Sequence, residues 1–327
     1  MESRVLTTSG LLVSRMGLGL AALGRPAYIN LGHADDLRHQ YDVDAMRRRT
    51  ASMLDGAWDA GIRYIDVARS YGRAEEFLAS WLRSRPRAAR PVVGSKWGYE
   101  YTGGWRLDAD TQEVKDHSVQ MFRRQLAETR ALLGADLDLY QAHSVTLDSP
   151  VLADDELLDA LAGLRAAGTA VGMTLSGSRQ AVVLERALEV QRDGVGLFAT
   201  VQATWNVLEP SAGPMLAAAH AAGVGVVVKE GVANGRLTSR TPDRAVRDVV
   251  EPIARRTQAS IDAVALAAVL AQPWADVVLS GAAAVEHLES NLAAFDVDLR
   301  ATDHEALASL AENPGRYWSQ RSALEWS

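Results

Sequence analysis

Four ionisable side chains stand where apolar runs of the sequence give out. Asp66 closes the run from Ile62 to Ile65, with Tyr71 and Gly72 in the stretch beyond it. Pro91-Val-Val-Gly-Ser ends in Lys96, and the run that opens at Leu137 ends in His143. A free phenol has a pKa of about 10, too weak an acid at neutral pH unless its phenolate is stabilised. A nearby ammonium supplies that, and a carboxylate paired with the ammonium fixes its position. An imidazole on the other side orients or polarises a carbonyl oxygen. Together the four suit one task, protonating an oxyanion as it forms. Lysine usage points the same way: of 34 cationic residues only Lys96, Lys115 and Lys229 are lysine. A chain that meets its need for charge with arginine has reason to keep lysine where a compact, tunable amine is wanted.

Such convergence needs elements that deliver several strand ends to one place. A recurring order of helix, glycine and apolar run provides them. Asp59-Ala-Gly61 precedes Ile62–Ile65, Leu133-Gly134 precedes Leu137–Tyr140, Ala167-Gly168 precedes Thr169–Leu175, and Ala222-Gly223 precedes Val224–Val228. Glycine suits a helix C-terminus because, lacking Cβ, it takes positive φ without penalty. Met16–Leu20, Pro91–Lys96, Val195–Val201 and Asp276–Leu279 supply the other strands. Stripes such as Val119, Phe122, Leu126 and Leu133 mark the helices between, and Asp44 opens another with Met46, Met53, Leu54, Ala57 and Trp58 on its apolar face.

Eight strands, each followed by helical sequence, predict an α/β fold with a parallel sheet, closed as a (β/α)8 TIM barrel. Ahead of it, Val5-Leu6 and Leu11–Val13 around Thr7-Thr-Ser-Gly10 predict a β-hairpin. Behind it, from about Asn313, comes a C-terminal tail carrying Tyr317, Trp318 and Trp326. An open doubly wound sheet would need G-x-G-x-x-G after its first strand, and Gly17, Gly19 and Gly24 do not fit that spacing. No linker divides the chain, so residues 1–327 read as a single domain. The long stretch from Ala21 to Val43, broken by Gly24, Pro26 and Gly32, reads as a functional loop.

Composition excludes several classes of function. Without cysteine there are no disulfides, zinc–thiolate sites or thiol nucleophiles. A formal charge of −7 argues against nucleic acid or an anionic membrane surface as partner. No apolar run approaches a membrane span and Met1-Glu-Ser-Arg-Val opens no secretory signal, so a cytoplasmic enzyme acting on a small molecule is the expectation. His33, His39, His117, His220 and His304 show no metal-ligand spacing, so no metal is expected and a metal-dependent barrel hydrolase is disfavoured. The sequence leaves the oligomeric state open.

In Tyr64-Ile-Asp66-Val-Ala-Arg-Ser-Tyr71-Gly, Gly94-Ser-Lys96-Trp-Gly and Leu137-Asp-Leu-Tyr-Gln-Ala-His143-Ser the chain resembles the aldo-keto reductase superfamily, in order and in spacing. The resemblance runs from the hairpin to Asn291. It implies an NAD(P)H-dependent oxidoreductase that transfers hydride between nicotinamide and the carbonyl carbon of an aldehyde, ketone or sugar. It implies Tyr71 as general acid/base, Lys96 as the partner that lowers its pKa, Asp66 as anchor of Lys96, and His143 as the group that orients the carbonyl. Two alternatives stay open: a sugar dehydrogenase running the opposite direction, and a cofactor-sensing regulatory subunit that turns over slowly.

The resemblance also implies a cofactor site in the second half. Ser176 and Gln202 would lie beside the carboxamide, and Trp205 would stack on the nicotinamide as an aromatic face against a flat heterocycle. Gly177 stands where the family frequently has asparagine. Val228-Lys229-Glu230-Gly231-Val-Ala-Asn234-Gly235 resembles a loop that wraps the pyrophosphate, with N–H groups near Gly231 and Gly235 as its cradle and Lys229 facing the barrel mouth. The stretch from Ser280 to Asn291 starts a helix, a natural anion site. There Gly281 and His287 would flank an adenosine 2′-phosphate and Asn291 would meet the adenine. His287 is the sole candidate cation at that end, and a histidine clamps phosphate weakly at neutral pH. Family grounds favour NADP(H), and the scarcity of cations keeps NAD(H) as the alternative. For the substrate pocket we expect Arg25, Tyr28 and Asn30, then Trp97, Tyr99, Tyr101 and Trp105, and the aromatic tail.

Overall fold

The computed structural model describes all 327 residues. Eight parallel strands neighbour each other in chain order: β1 (Met16–Gly19), β2 (Tyr64–Asp66), β3 (Val92–Trp97), β4 (Leu139–Val145), β5 (Ala170–Leu175), β6 (Thr200–Thr204), β7 (Gly225–Lys229) and β8 (Val277–Ser280). Strand β8 pairs with β1, which closes the barrel and leaves no exposed edge. Helices α1 (Val43–Asp59), α2 (Ala74–Arg83), α3 (Val119–Leu133), α4 (Asp155–Ala166), α5 (Gln180–Leu188) and α6 (Gly213–Ala221) carry the chain from one strand to the next. Two helices, α7 (Arg244–Thr257) and α8 (Ile261–Leu270), lead into β8, and α9 (Val285–Leu292) follows it. The predicted (β/α)8 barrel is the observed one.

Local chemistry sets the element ends. The side chains of Asp42, Ser118, Asp154 and Ser260 accept hydrogen bonds from the backbone N–H groups of Ala45, Met121, Leu157 and Ala263, satisfying donors that a helix start leaves unpaired. The first of these caps is Asp42, not the expected Asp44, which falls inside the first turn. At the other ends Gly61, Gly134, Gly168 and Gly223 take φ of +89°, +56°, +95° and +89°, as the recurring glycines predict.

Two boundaries differ from expectation. Strand β6 starts at Thr200, because Val195-Gly196 turns out to solvent and pairs with Gln191-Arg192 in a small hairpin. The segment from Asn313 is a helix, α11 (Pro314–Ser322), preceded by α10 (Ala301–Ala308). Asn313 caps it and Pro314 takes its first position, where a missing N–H costs nothing. Beyond it the chain returns to the barrel mouth, where Tyr28 and Ser327 exchange two backbone hydrogen bonds of 3.1 Å.

The N-terminal hairpin, Ser3–Val5 against Leu12–Ser14, contributes Leu6 and Val13 to an apolar cluster with Tyr64, Leu139, Val227 and Val277. Tyr64 is wholly buried. Its ring needs Gly94 opposite, since a Cβ there would come within 2.5 Å of the phenol oxygen. Above it, the Tyr64 hydroxyl reaches Asp66 Oδ1 at 3.5 Å. The barrel filling thus supports the first residue of the site.

Candidate active site

The C-terminal strand ends open into a cavity of about 500 Å³, lined by Asp66, Tyr71 and His143 among others. Lys96 lies behind them, wholly buried. Its Nζ donates to Asp66 Oδ2 at 2.5 Å and to the Val67 carbonyl at 3.0 Å, and stands 4.9 Å from the centre of the Tyr71 ring. Gln202 Nε2 donates to the second Asp66 oxygen at 2.8 Å. The rings of Tyr71 and His143 meet edge to face, 5.6 Å apart. Three of the four side chains singled out from strand ends therefore line one pocket, with Lys96 joined to it from behind through Asp66.

Two polar atoms of this group face the cavity with no hydrogen-bond partner in the protein: the Tyr71 hydroxyl and His143 Nε2. His143 Nδ1 lies 3.4 Å from Ser70 Oγ. With that hydroxyl donating to Nδ1, Nε2 keeps the hydrogen, and the cavity meets two donors side by side. Burial pushes His143 well below its ordinary pKa, and the charges of Lys96, Lys229 and Arg25 push it further. The imidazole is neutral at pH 7.

The phenol is governed first by its burial. Burial raises Tyr71 well above its ordinary pKa and the Asp66 carboxylate adds to this, with Arg25 opposing both. Lys96 directs its hydrogen bonds to Asp66 and Val67 and makes none to the phenol hydroxyl, its Nζ lying 4.9 Å from the ring centre. Burial is thus the largest influence on the resting phenol, which stays protonated at neutral pH.

A backbone clasp holds Tyr71 in place. Arg73 N donates to the Gly24 carbonyl at 2.7 Å. A Cβ on Gly24 would stand 2.1 Å from the Tyr71 carbonyl, and one on Gly72, at φ +59°, 2.5 Å from the Gly24 carbonyl. Only glycine at both positions allows the two loops to touch. The next residue, Arg25, is buried and donates to the Ser70 carbonyl at 3.0 Å and to Glu113 at 2.8 Å. Its guanidinium lies 5.4 Å from the Tyr71 ring, 5.5 Å from Tyr28 and 4.7 Å from Trp326.

Of the expected substrate-pocket residues, Arg25, Tyr28, Asn30 and Trp326 line the cavity. Trp97 is buried edge-on against Phe122, and Trp105 leans on Phe77 and donates to the Tyr41 carbonyl, so neither lines it. Tyr99 acts one layer back, edge-on to His143 at 5.1 Å, and Tyr101 binds the backbone of Trp105.

The expected cofactor residues divide. Gln202, Lys229, Gly231, Gly235, Gly281, His287 and Asn291 all line the cavity. Ser176 and Trp205 do not. Thr204 turns its hydroxyl inward to Lys229 and Glu230, so the next residue points outward, and the Trp205 indole packs edge-on to Trp274 at 5.6 Å. Ser176 follows the end of β5, where Gly177 at φ +89° carries the chain away. In its stead Ser144, at φ +53° where the β4–β5 register slips, lines the cavity.

In the loop after β7, Gly235 N–H is spent on the Val232 carbonyl and is not free for a phosphate, while the N–H groups of Gly231, Val232 and Asn234 make no hydrogen bond within the protein. Asn291 accepts from Ser280 at 2.7 Å and donates to Asp262 at 2.8 Å, which engages most of its amide. Lys229 Nζ donates to Thr204 Oγ1 at 2.8 Å and lies 3.5 Å from Glu230, and burial brings it down to about 8. Burial alone would raise Glu230, yet Arg321 of α11 and Lys229 hold it down to about 2.

Sequence reasoning missed Ser144, Glu113, Asp36, Arg240 and Arg321, all on the cavity wall. They come from loops and a helix far apart in the chain, and no local pattern marks them.

Comparison with known proteins identifies the family. The profile of the Aldo/keto reductase family matches residues 15–312. Over 165 residues the chain is 31% identical to pyridoxal 4-dehydrogenase of Microbacterium luteolum, covering 44% of this chain and 43% of that protein. It is 27% identical to the NADH-specific methylglyoxal reductase of Escherichia coli K12, across 95% of this chain and 99% of that one. The holo form of an aldo-keto reductase from Bacillus halodurans superposes with a TM-score of 0.72 over 96% of this chain and 97% of that one, at 23% identity, a likeness of fold. With the profile spanning nearly the whole barrel, the chain belongs to the aldo/keto reductase family and is an oxidoreductase.

Proposed function

We propose that this enzyme reduces the carbonyl of a small aldehyde or ketone, with Tyr71 as its acid. The observation that carries the reading is the pair of polar atoms without a protein partner at the cavity, Tyr71 hydroxyl and His143 Nε2, backed by the buried Lys96–Asp66 pair. A carbonyl oxygen placed between the two donors is oriented by both. As negative charge develops on it, Tyr71 passes its proton and the neutral imidazole holds its hydrogen bond, so the charge does not stay on the substrate oxygen. Lys96 and Arg25 then stabilise the phenolate left behind, and Asp66 keeps the ammonium from swinging away. The two unspent donors favour turnover over a sensing role.

The family uses nicotinamide cofactors, which supply the hydride. The donor set fits such a dinucleotide: Gln202 presents its carboxamide oxygen, the N–H groups of Gly231, Val232 and Asn234 are unspent, and the start of α9 faces the same cavity. Around the ribose end, the cations are committed. Arg240 binds Asp36 and the Leu31 carbonyl, and Arg38 lies 3.7 Å from Glu286. His287 itself stands 3.7 Å from Asp36. A 2′-phosphate would meet two carboxylates here, whereas a 2′-hydroxyl can donate to one. We therefore favour NAD(H) over NADP(H). Fluorescence titration with NADH and NADPH, followed by a panel of aldehydes, ketones and sugars with the tighter binder, tests both points. NADH should bind more tightly and be consumed with a carbonyl; a protein that takes up neither dinucleotide overturns the reading.

A further inference from the structure

We infer that Lys229 makes the site discriminate between the two redox states of the nicotinamide, accepting the neutral reduced ring and repelling the cationic oxidised one. The inference rests on the nicotinamide reading above and adds to it a reason for one state to be preferred.

Four cations surround the catalytic end of the cavity, Lys96 and Arg25 buried and Lys229 and Arg321 partly exposed, and three have a carboxylate of their own. Lys96 holds Asp66 at 2.5 Å, Arg25 holds Glu113 at 2.8 Å, and Arg321 engages Glu230 through three hydrogen bonds. Lys229 is the fourth. Its nearest carboxylate is Glu230 at 3.5 Å, the one already taken, and its short contact is to the neutral Thr204 hydroxyl at 2.8 Å. With His143 neutral, this wall carries one positive charge more than it has negative charges to match.

The surplus charge sits where the ring must lie. A hydride donor approaches within about 3.5 Å of the carbon it reduces, and that carbon belongs to an oxygen held by Tyr71 and His143. Beside those two, the ends of β6 and β7 present Gln202 and Lys229, on strands paired in register from Thr200 to Lys229. No aromatic face replaces the lysine, because Trp205 points away to Trp274. Oxidised nicotinamide carries a positive charge and its reduced form does not, so an unmatched ammonium on this partly shielded wall weakens only the oxidised state. The enzyme would then load reduced cofactor from a mixed pool and release the oxidised product readily.

The test is the ratio Kd(NAD⁺)/Kd(NADH), measured by calorimetry or fluorescence on the intact protein. For Lys229→Met the ratio should fall by at least about fivefold, mainly through tighter NAD⁺ binding. Lys229→Arg, which keeps the charge, should keep the ratio. In the unsubstituted protein the ratio should fall as pH rises from 7 to 9.5, as Lys229, lowered to about 8, loses its proton. The charged and titratable groups facing Lys229 are Glu230, Arg321, Lys96 and His143. Lys96, whose pKa burial also lowers, could titrate in the same range, and Lys229→Met separates the two because its ratio should stay flat with pH. An unchanged ratio in Lys229→Met, with both dinucleotides still bound, overturns the inference and spares the functional reading. Binding of neither form by the unsubstituted protein overturns both.

Discussion

Tyr71 holds its proton tightly because it is surrounded by protein and faces the Asp66 carboxylate. That makes the phenol a weak acid at rest, able to give up its proton only if its anion is met by charge at the moment of transfer. Lys96 and Arg25, at 4.9 Å and 5.4 Å from the ring, are placed to do so from two sides. Replacing the hydroxyl tests this directly. Tyr71→Phe should lower kcat by at least about 100-fold, the lower end of what a positioned general acid contributes. Dinucleotide affinity should change by less than about twofold, since the ring and its packing stay. Single-turnover kinetics alongside a cofactor titration would check both halves, and a variant that still turns over normally would remove Tyr71 from the chemistry.

At the scale of elements, the site depends on loops that touch backbone to backbone. The stretch after β1 and the stretch after β2 are clasped at Gly24 and Gly72, and Arg25 and Tyr71 are the residues flanking that clasp. Gly24→Ala forces a Cβ into the Tyr71 carbonyl, which must retreat and take the phenol with it. We expect a stability loss of about 1–3 kcal/mol, the usual scale for overpacking, and a fall in kcat beyond what the lost stability explains. Gly163→Ala in α4 is the matched control, because nothing lies within 4 Å of its added methyl. That change should stabilise the protein by about 0.5–1 kcal/mol, as alanine does in a helix interior, with kcat unaltered. Chemical denaturation of both variants, read beside their kinetics, separates local displacement from general weakening.

For the molecule as a whole, buried histidines set the acid limit. His33 and His117 are each lowered to about 4, chiefly by burial. Both His33 nitrogens lack a partner, and His117 Nε2 meets only the His143 carbonyl at 2.8 Å. In the unfolded chain each takes up a proton near its ordinary 6.5, while the folded chain refuses it until about pH 4. The unfolded state binds more protons throughout that window, so stability is full above pH 6.5 and is lost as pH falls through it. At the acid end each histidine accounts for roughly 3 kcal/mol. Between pH 7 and pH 5 the Tm should fall by about 5 °C or more, given roughly 2 °C per kcal/mol at this chain length. Substituting His33 and His117 by glutamine should flatten that pH dependence, as scanning calorimetry would show.

The barrel, its hairpin and the convergence of Asp66, Tyr71, Lys96 and His143 were legible in the sequence for a physical reason. Helix caps, strand parity and glycine-closed helix ends are settled by near neighbours, and a closed parallel sheet then has to set consecutive strand ends side by side. The same locality explains why Arg25 and Tyr28 were found, one loop along from β1. Other features follow from contacts between distant segments. Trp205 turns to Trp274 because Thr204 takes the inward place, and Glu230 meets Arg321 from a helix 91 residues further on. The direction of the Tyr71 shift belongs here too, since it depends on how much protein surrounds the phenol more than on which residues stand near it in the chain. Residue order determined which groups reach the mouth of the barrel; only the packed tertiary structure decided which of them face the cavity, and with what charge.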